Sequence, residues 1–307
     1  MIFNKDSIRT DPNGKEMLEP GMQPLGLSAH DGDIHQFVAG TIVSHWHREL
    51  EVFVLLEGRV ELGIEDQIYA LGTGGGCLVN TGALHSFRAS APSPCRFRSI
   101  VFDSNIVGGA PGSVFDTAYV RPLLEDGPPV LLFGPDDLQG LQAFGRAFDA
   151  CAGEPPGYEF AVRAALSELL LFAKEKSRVV PARKMPPQQE DRVKQMLAYI
   201  DANSSLALSV KDIAAQANIC PRECQRIFRR YLHCAPMVYV QRRRIFAAAE
   251  QLAGTSRPVT DIALSCGFSS PSYFSKQFKA LVGSTPLRYR AAAHGAYQKA
   301  PNHEGKS

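Results

Sequence analysis

Two short segments carry side chains whose types and spacing suit hydrogen bonding to a nucleic acid. The first reads Pro221-Arg-Glu-Cys-Gln-Arg-Ile-Phe-Arg and the second Pro271-Ser-Tyr-Phe-Ser-Lys-Gln-Phe-Lys. Aligned on their prolines, Cys224 matches Phe274 and Phe228 matches Phe278 as buried positions. The pairs Arg222/Ser272, Gln225/Ser275, Arg226/Lys276 and Arg229/Lys279 then fall at i, i+3, i+4 and i+7, on the opposite face of a helix. A guanidinium can pair with guanine and a carboxamide with adenine. A helix with one apolar face and one short, basic, hydrogen-bonding face suits the major groove of DNA.

Such helices need elements that hold them, and the preceding residues supply these twice. Val210-Lys-Asp-Ile-Ala-Ala-Gln-Ala217 and Val259-Thr-Asp-Ile-Ala-Leu-Ser-Cys266 share Asp-Ile-Ala and read as short helices with small residues at a close crossing. Asn218-Ile219 and Gly267-Phe268-Ser269 are the connections, and Asn or Gly there accepts the left-handed conformation that ends a helix. Helix, tight turn and basic-faced helix make a helix-turn-helix. Each copy ends in a matching exit, His233…Pro236…Tyr239 and Gly283…Pro286…Tyr289.

On these residues, 190–290 resemble the DNA-binding region of AraC/XylS-type transcription regulators. The strongest match runs from Asp261-Ile-Ala through Cys-Gly-Phe-Ser-Ser-Pro-Ser-Tyr-Phe-Ser-Lys-Gln-Phe-Lys279 to Gly283-Ser-Thr-Pro286 and Tyr289-Arg290. The first copy departs from the family pattern: Cys220 stands for a usual Ser, Cys224 for a usual Leu and His233 for a usual Gly. The resemblance implies that Arg222, Gln225 and Arg226 meet DNA in the first unit and Ser272, Ser275 and Lys276 in the second, with Arg229 and Lys279 on phosphate.

Charge agrees with that division. The formal net charge is only +2, yet residues 186–290 hold 15 Lys/Arg against 7 Asp/Glu, whereas residues 1–185 hold 16 against 23. A basic C-terminal third on an acidic remainder fits a nucleic-acid-binding module attached to something else. No apolar run reaches the ~18 residues of a membrane helix, and Met-Ile-Phe-Asn-Lys-Asp lacks the layout of a signal peptide. A cytoplasmic protein with no membrane partner is expected. The seven scattered cysteines argue against a disulfide framework. Cys220, Cys224, His233 and Cys234 cluster in sequence but match no zinc-module spacing.

Residues 1–33 read as an irregular lead-in. From Ile34 to Val101, short β-rich runs alternate with Gly, and Val60, Leu62 and Ile64 alternate with Glu61, Gly63 and Glu65 as in a strand with one wet face. This predicts a small β-barrel or jelly roll. Within it, Gly40…His45-Trp46-His47…Glu51…Gly58 and Gly74…Asn80-Thr81-Gly82…His85 resemble the two cupin motifs, with Asn80 where cupins usually have Pro. That resemblance implies an effector-binding role for His45, His47, Glu51 and His85, or the ligand set of a divalent metal; the expectation here is no tightly held metal and DNA binding that survives chelation. Helical stripes follow at Leu138, Leu141, Phe144 and Phe148, and at Val162, Leu166, Leu169, Leu170 and Ala173. They resemble the dimerisation helices of the regulator family, and the second stripe is expected to serve both the barrel and a partner.

The resulting class is α+β: a cupin-like β-barrel with helices, then an all-α region of two helix-turn-helix units. Expected boundaries are a cupin-like effector-sensing domain at 1–134, a helical dimerisation segment at 135–177, a linker at 178–189, the double helix-turn-helix at 190–290 and a disordered tail at 291–307. A long helix over Met237–Ala253 joins the two units, with part of the Arg242-Arg243-Arg244 trio facing phosphate and one Arg buttressing the core. The resemblance implies a transcription regulator, not an enzyme. Its partners would be a double-stranded DNA operator, a small-molecule effector, a second copy of the chain and, for an activator, RNA polymerase. A metal-dependent cupin oxygenase or isomerase using the three histidines and Glu51 is the alternative, which metal analysis and substrate turnover would separate.

Overall fold

The computed structural model describes residues 2–3, 25–177 and 185–297. The chain divides into two compact units, Met1–Lys194 with Arg230–His233, and Gln195–Arg229 with Cys234–Ser307.

The first unit is built on strands β1 (Ile2–Phe3), β2 (Leu27–Asp33), β3 (Thr41–His45), β4 (Leu50–Leu55), β5 (Arg59–Ile64), β6 (Gln67–Gly72), β7 (Gly76–Val79), β8 (His85–Ala89), β9 (Arg96–Phe102) and β10 (Val130–Phe133). They form a six-stranded sheet, β1-β2-β9-β4-β7-β10, and a four-stranded sheet, β3-β8-β5-β6. β4 shows why the sheets stack. Every one of its residues is buried, because successive side chains serve opposite faces. Leu50, Val52 and Val54 join one apolar cluster with the helices, while Phe53 and Leu55 join a second with Val60, Leu62, Ile64 and Phe87 of the other sheet. Phe53 stacks on Phe87 and Phe97 at centroid distances of 4.2 and 5.0 Å, so aromatic rings fill the space between sheets. β5 keeps the alternation read from its sequence, with Val60, Leu62 and Ile64 buried.

The helices of this unit are α1 (Asn105–Gly108), α2 (Arg121–Asp126), α3 (Leu138–Gly153) and α4 (Tyr158–Ser177). α3 and α4 pack on the outer face of the six-stranded sheet. Gly140 permits their approach, since a Cβ there would lie 2.6 Å from the Phe172 ring. The buried face of α3 runs through Ala143, Phe144, Ala147, Phe148 and Cys151, and Leu138, expected to open the stripe, is exposed. On α4, Val162, Leu166, Leu169, Leu170 and Ala173 are all buried inside the unit's own cluster. That corrects the expected double role: the stripe is consumed by the sheet and α3 and has no surface left for a partner.

The second unit contains α5 (Pro187–Asn203, which begins just before it), α6 (Val210–Gln216), α7 (Pro221–Tyr231), α8 (Pro236–Gly254), α9 (Val259–Ser265), α10 (Pro271–Val282) and α11 (Pro286–Tyr297). The long joining helix is α8. Of its arginine trio, two rather than one buttress the fold: Arg243 pairs with Asp201 at 2.6 Å, and Arg244 donates to the carbonyls of Ser204 and Leu206, both at 2.6 Å. Arg242 stays exposed.

Three expectations change at segment ends. Residues 27–33 are a strand and not irregular lead-in, paired with β9 along its whole length; residues 4–24 lie outside the described residues. Pro187–Gln189, expected as linker, begin α5, and residues 178–184 are outside the description. Residues 291–297, expected as disordered tail, continue α11, where Ala291, Ala292 and Ala293 favour helix; residues 298–307 are outside.

Candidate nucleic-acid interface and a buried histidine–carboxylate cluster

Each helix-turn-helix is set by the same contacts. Ile213 and Ala214 of α6, and Ile262 and Ala263 of α9, are fully or nearly fully buried. After α6 the chain turns through Asn218 at φ +51°, and Ile219 N–H bonds the Ala214 carbonyl at 3.2 Å. After α9 it turns through Gly267 at φ +85°, and Phe268 N–H bonds the Ala263 carbonyl at 3.0 Å. The next helix then presents Cys224 and Phe228, or Phe274 and Phe278, to the core, all at 0% exposure. The exit motif now has a reason. Tyr239 meets Phe228 edge-on at 5.9 Å, and Tyr289 meets Phe278 edge-on at 5.5 Å.

With those aromatics inside, the expected faces lie outward. Arg222, Gln225, Arg226 and Arg229 on α7 are exposed, as are Ser272, Lys276 and Lys279 on α10; Ser275 is half-buried. One residue was missed. Glu223 receives a two-pronged bond from Arg226, Nε to Oε2 at 2.8 Å and a terminal nitrogen to Oε1 at 2.6 Å. The i, i+3 spacing of opposite charges was the available signal. Arg226 is therefore pre-oriented by a carboxylate on its own helix, one turn away.

Among the described residues, one group of metal-capable side chains converges, and it is His45, His47, Glu51 and His85, whose ligand atoms lie within 4.8 Å of one another. The cysteine-rich stretch forms no such group among them. Burial pushes the thiol of Cys224 up to about 11, as befits a core side chain. The four cluster residues come from separate elements. His45 ends β3 and sits in register opposite His85 at the start of β8, in the four-stranded sheet. Glu51 belongs to β4 of the six-stranded sheet, on the face that looks between the sheets with Phe53. His47 lies in the β3–β4 connection, which is tied down by Gly82 N–H to the His47 carbonyl at 2.8 Å and the Thr81 hydroxyl to the Arg48 carbonyl at 2.6 Å.

Each imidazole uses Nδ1 on a backbone carbonyl: His45 on Val43 at 2.8 Å, His47 on Glu49 at 2.9 Å and His85 on Ala83 at 2.9 Å. A carbonyl only accepts, so Nδ1 carries a proton in all three. Nε2 of His47 and His85 face Glu51 Oε2 at 3.4 and 3.1 Å. Burial, and then the neighbouring imidazoles of His85 and His47, hold His45 well below the usual histidine range. Burial alone would raise Glu51, but hydrogen bonds from His47 and His85 outweigh it and keep the carboxyl well below its usual range. Asn80, the departure from the cupin pattern, is structural: its Nδ2 donates to the Leu123 and Pro128 carbonyls at 2.9 and 3.1 Å and its Oδ1 accepts from Thr81 N–H at 2.8 Å.

Comparison with known proteins adds the family context. A family profile described as "Helix-turn-helix domain" matches residues 213–292, and one described as "AraC-like ligand binding domain" matches residues 38–170. The chain is 26% identical over 289 residues to the HTH-type transcriptional regulator YdeC of Bacillus subtilis, covering 91% of this chain and 97% of that one. It is 36% identical over 114 residues to the HTH-type transcriptional activator AarP of Providencia stuartii, covering 37% of this chain and 84% of AarP. A crystal structure of a transcriptional regulator with an AraC-type DNA-binding domain from Chromobacterium violaceum matches at 30% identity, over 35% of this chain and 96% of that one, with a TM-score of 0.34. Among the described residues, no helix is long and apolar enough to cross a membrane.

Proposed function

The chain belongs to the AraC-type family of transcription regulators, and we propose that its two basic helix faces read adjacent parts of one double-stranded operator. In this reading α7 offers Arg222, Gln225 and Arg226 to base edges and Arg229 to phosphate, while α10 offers Ser272, Ser275 and Lys276, with Lys279 on phosphate. The observation that carries it is the repeat itself: in both units a buried Phe, met edge-on by a Tyr, leaves the hydrogen-bonding residues on the opposite face. Binding-site selection on Arg226→Ala and Lys276→Ala, with circular dichroism to confirm folding, tests it. Arg226→Ala lowers operator affinity at least tenfold, roughly 1.4 kcal/mol, and blurs one half of the site; Lys276→Ala blurs the other half, about one helical turn away. A folded Arg226→Ala with wild-type affinity and an unchanged site sinks the assignment of α7.

We propose further that the protein works in the cytoplasm and that its DNA affinity answers to a small-molecule effector, through unequal effector affinity for two states; the match to a ligand-binding domain supports the effector. The chain acts as a homodimer, and as an activator it would engage RNA polymerase. Since the inward stripe of α4 is spent on the fold, the dimer uses the outward face, where Phe160 is 78% and Leu171 46% exposed. Phe160→Glu with Leu171→Glu should give folded monomers in sedimentation, whereas Leu166→Glu should unfold the first unit. Monomeric wild-type protein at micromolar concentration refutes the dimer.

A further inference from the structure

α7 and α10 carry different side chains at the second residue after the proline, Glu223 after Pro221 and Tyr273 after Pro271. Glu223 is engaged within its own helix by Arg226. Tyr273 is engaged from another helix: Gln241 Nε2 on α8 donates to its hydroxyl at 3.3 Å. Its ring lies 6.4 Å from that of Phe268, a turn residue only 5% exposed. Its backbone N–H donates to the Ser270 hydroxyl oxygen at 3.3 Å. Backbone, ring and hydroxyl are each held, yet the side chain is 50% exposed. A phenol offers one proton and two lone pairs. Gln241 uses a lone pair, and among the described residues nothing accepts the proton. The hydroxyl is thus a donor fixed in place at the surface.

On the proposed DNA face of α10, on which this depends, we infer that Tyr273, held by Gln241, donates to a backbone phosphate on the wall of the groove and so positions α10 without reading sequence. Ser272, Ser275, Lys276 and Lys279 span one face of the helix. Tyr273 falls at the margin of that face, next to Ser272 and one turn before Lys276, on the side where Gln241 of α8 lies. The middle of a helix in the major groove meets base edges, and its margins meet the sugar-phosphate wall. A lone phenolic donor lacks the paired donors and acceptors that tell one base from another. A charged phosphate oxygen, by contrast, makes a strong bond with a single donor. Gln241 is a positioning residue: it limits the swing of the phenol and so lowers the ordering cost of the contact.

The test titrates the full chain, confirmed folded by circular dichroism, against operator and scrambled duplex. Tyr273→Phe, which removes only the hydroxyl, weakens binding to both duplexes alike by about three- to tenfold and leaves the selected site unchanged. Salt separates this loss from that of a cation. Lys279→Ala lowers the salt slope by about 1, whereas removing an uncharged phenol leaves the slope as it was. Gln241→Leu costs about twofold with Tyr273 present and nothing in the Tyr273→Phe background, a coupling that a purely structural glutamine would not show. A folded Tyr273→Phe with wild-type affinity overturns the inference, and Lys276→Ala then shows how far the failure reaches. If Lys276→Ala still blurs its half of the site, α10 stays on DNA and only the tyrosine contact falls; if it too has no effect, the assignment of α10 falls with it. A changed site preference in Tyr273→Phe makes the hydroxyl a base contact and overturns the phosphate. Equal cost of Gln241→Leu in both backgrounds overturns the positioning role.

Discussion

The two helix-turn-helix units use one packing scheme and two sets of local devices. Both bury an Ile-Ala pair, a residue one turn into the second helix and a Phe four residues later, and both seat a Tyr against that Phe at 75° and 72°. They differ where the backbone turns. The second unit has Gly267 and Gly283 at φ +85° and +81°, whereas the first puts Asn218 and His233 at φ +51° and +52°. What is shared is therefore what fills the core, and what varies is what tolerates a left-handed backbone. Asn and His accept that conformation better than most side chains, so the first unit keeps the turn at some cost in strain.

The comparison breaks most visibly at the shared core. Phe228→Ala and Phe278→Ala should each cost about 3–5 kcal/mol, and the two costs should agree closely, because both rings are fully buried and meet one Tyr edge. Denaturant melts of the full chain measure this; a large disparity would mean that the units are alike only in outline. Next come the turns, where the costs should part. A Cβ on Gly267 would lie 2.6 Å from the Ser205 carbonyl oxygen, a backbone atom that cannot swing away. Gly267→Ala should cost about 2–4 kcal/mol from strain and overlap together. Asn218→Ala meets the strain alone, about 1 kcal/mol. Equal losses at the two turns would remove the distinction drawn between them.

What could be read from the sequence follows the same line between local and non-local. The repeat, its faces and the long α8 lie within a few turns of chain, and spacing reveals them. The α4 stripe was also legible as a stripe; that the unit's own sheet and α3 consume it depends on contacts from Leu27 to Ala173. Strand β2 was missed because Ser28, His30, Asp31, Gly32 and Asp33 read as loop, and only pairing with β9 makes them a strand. Likewise Arg243 finds Asp201 across 42 residues, and His85 finds Glu51 across 34. Histidine types and spacing named the cluster, but its convergence depends on a register between β3 and β8 that no local pattern records. Glu223 is different, since it was local and went unread.

Glu223 gives the third comparison, between the two proposed recognition faces. α10 carries Ser272, Ser275, Lys276 and Lys279 without an acidic neighbour among them, while on α7 Arg226 is held by Glu223. An exposed pair of this kind is worth about 0.2–1 kcal/mol. Glu223→Gln weakens the hold on the guanidinium and removes a charge that repels phosphate, so DNA should bind about two- to fivefold tighter, with more of the gain on non-specific sequence. Titrations against operator and scrambled duplex at fixed salt decide this. Weaker operator binding would instead make Glu223 an acceptor for a base, such as cytosine N4.

An effect of similarly small size lies at the helix starts. Ser270 precedes α10, and its hydroxyl accepts from Tyr273 N–H at 3.3 Å. Cys220 precedes α7 at the matching place and is exposed. The first backbone bond matches in both, Cys224 N–H bonding the Cys220 carbonyl at 3.1 Å and Phe274 N–H bonding that of Ser270 at 2.9 Å. The side-chain acceptor differs, and sulfur accepts weakly. Cys220→Ser should therefore raise stability by about 0.5–1 kcal/mol, and Ser270→Ala should lower it by a similar amount. Both are measured as midpoint shifts in denaturant, with the slope unchanged. If Ser270→Ala destabilises while Cys220→Ser does nothing, the two helices begin differently despite that shared backbone bond, and the first unit draws its start from the chain around Pro221 instead of from a cap.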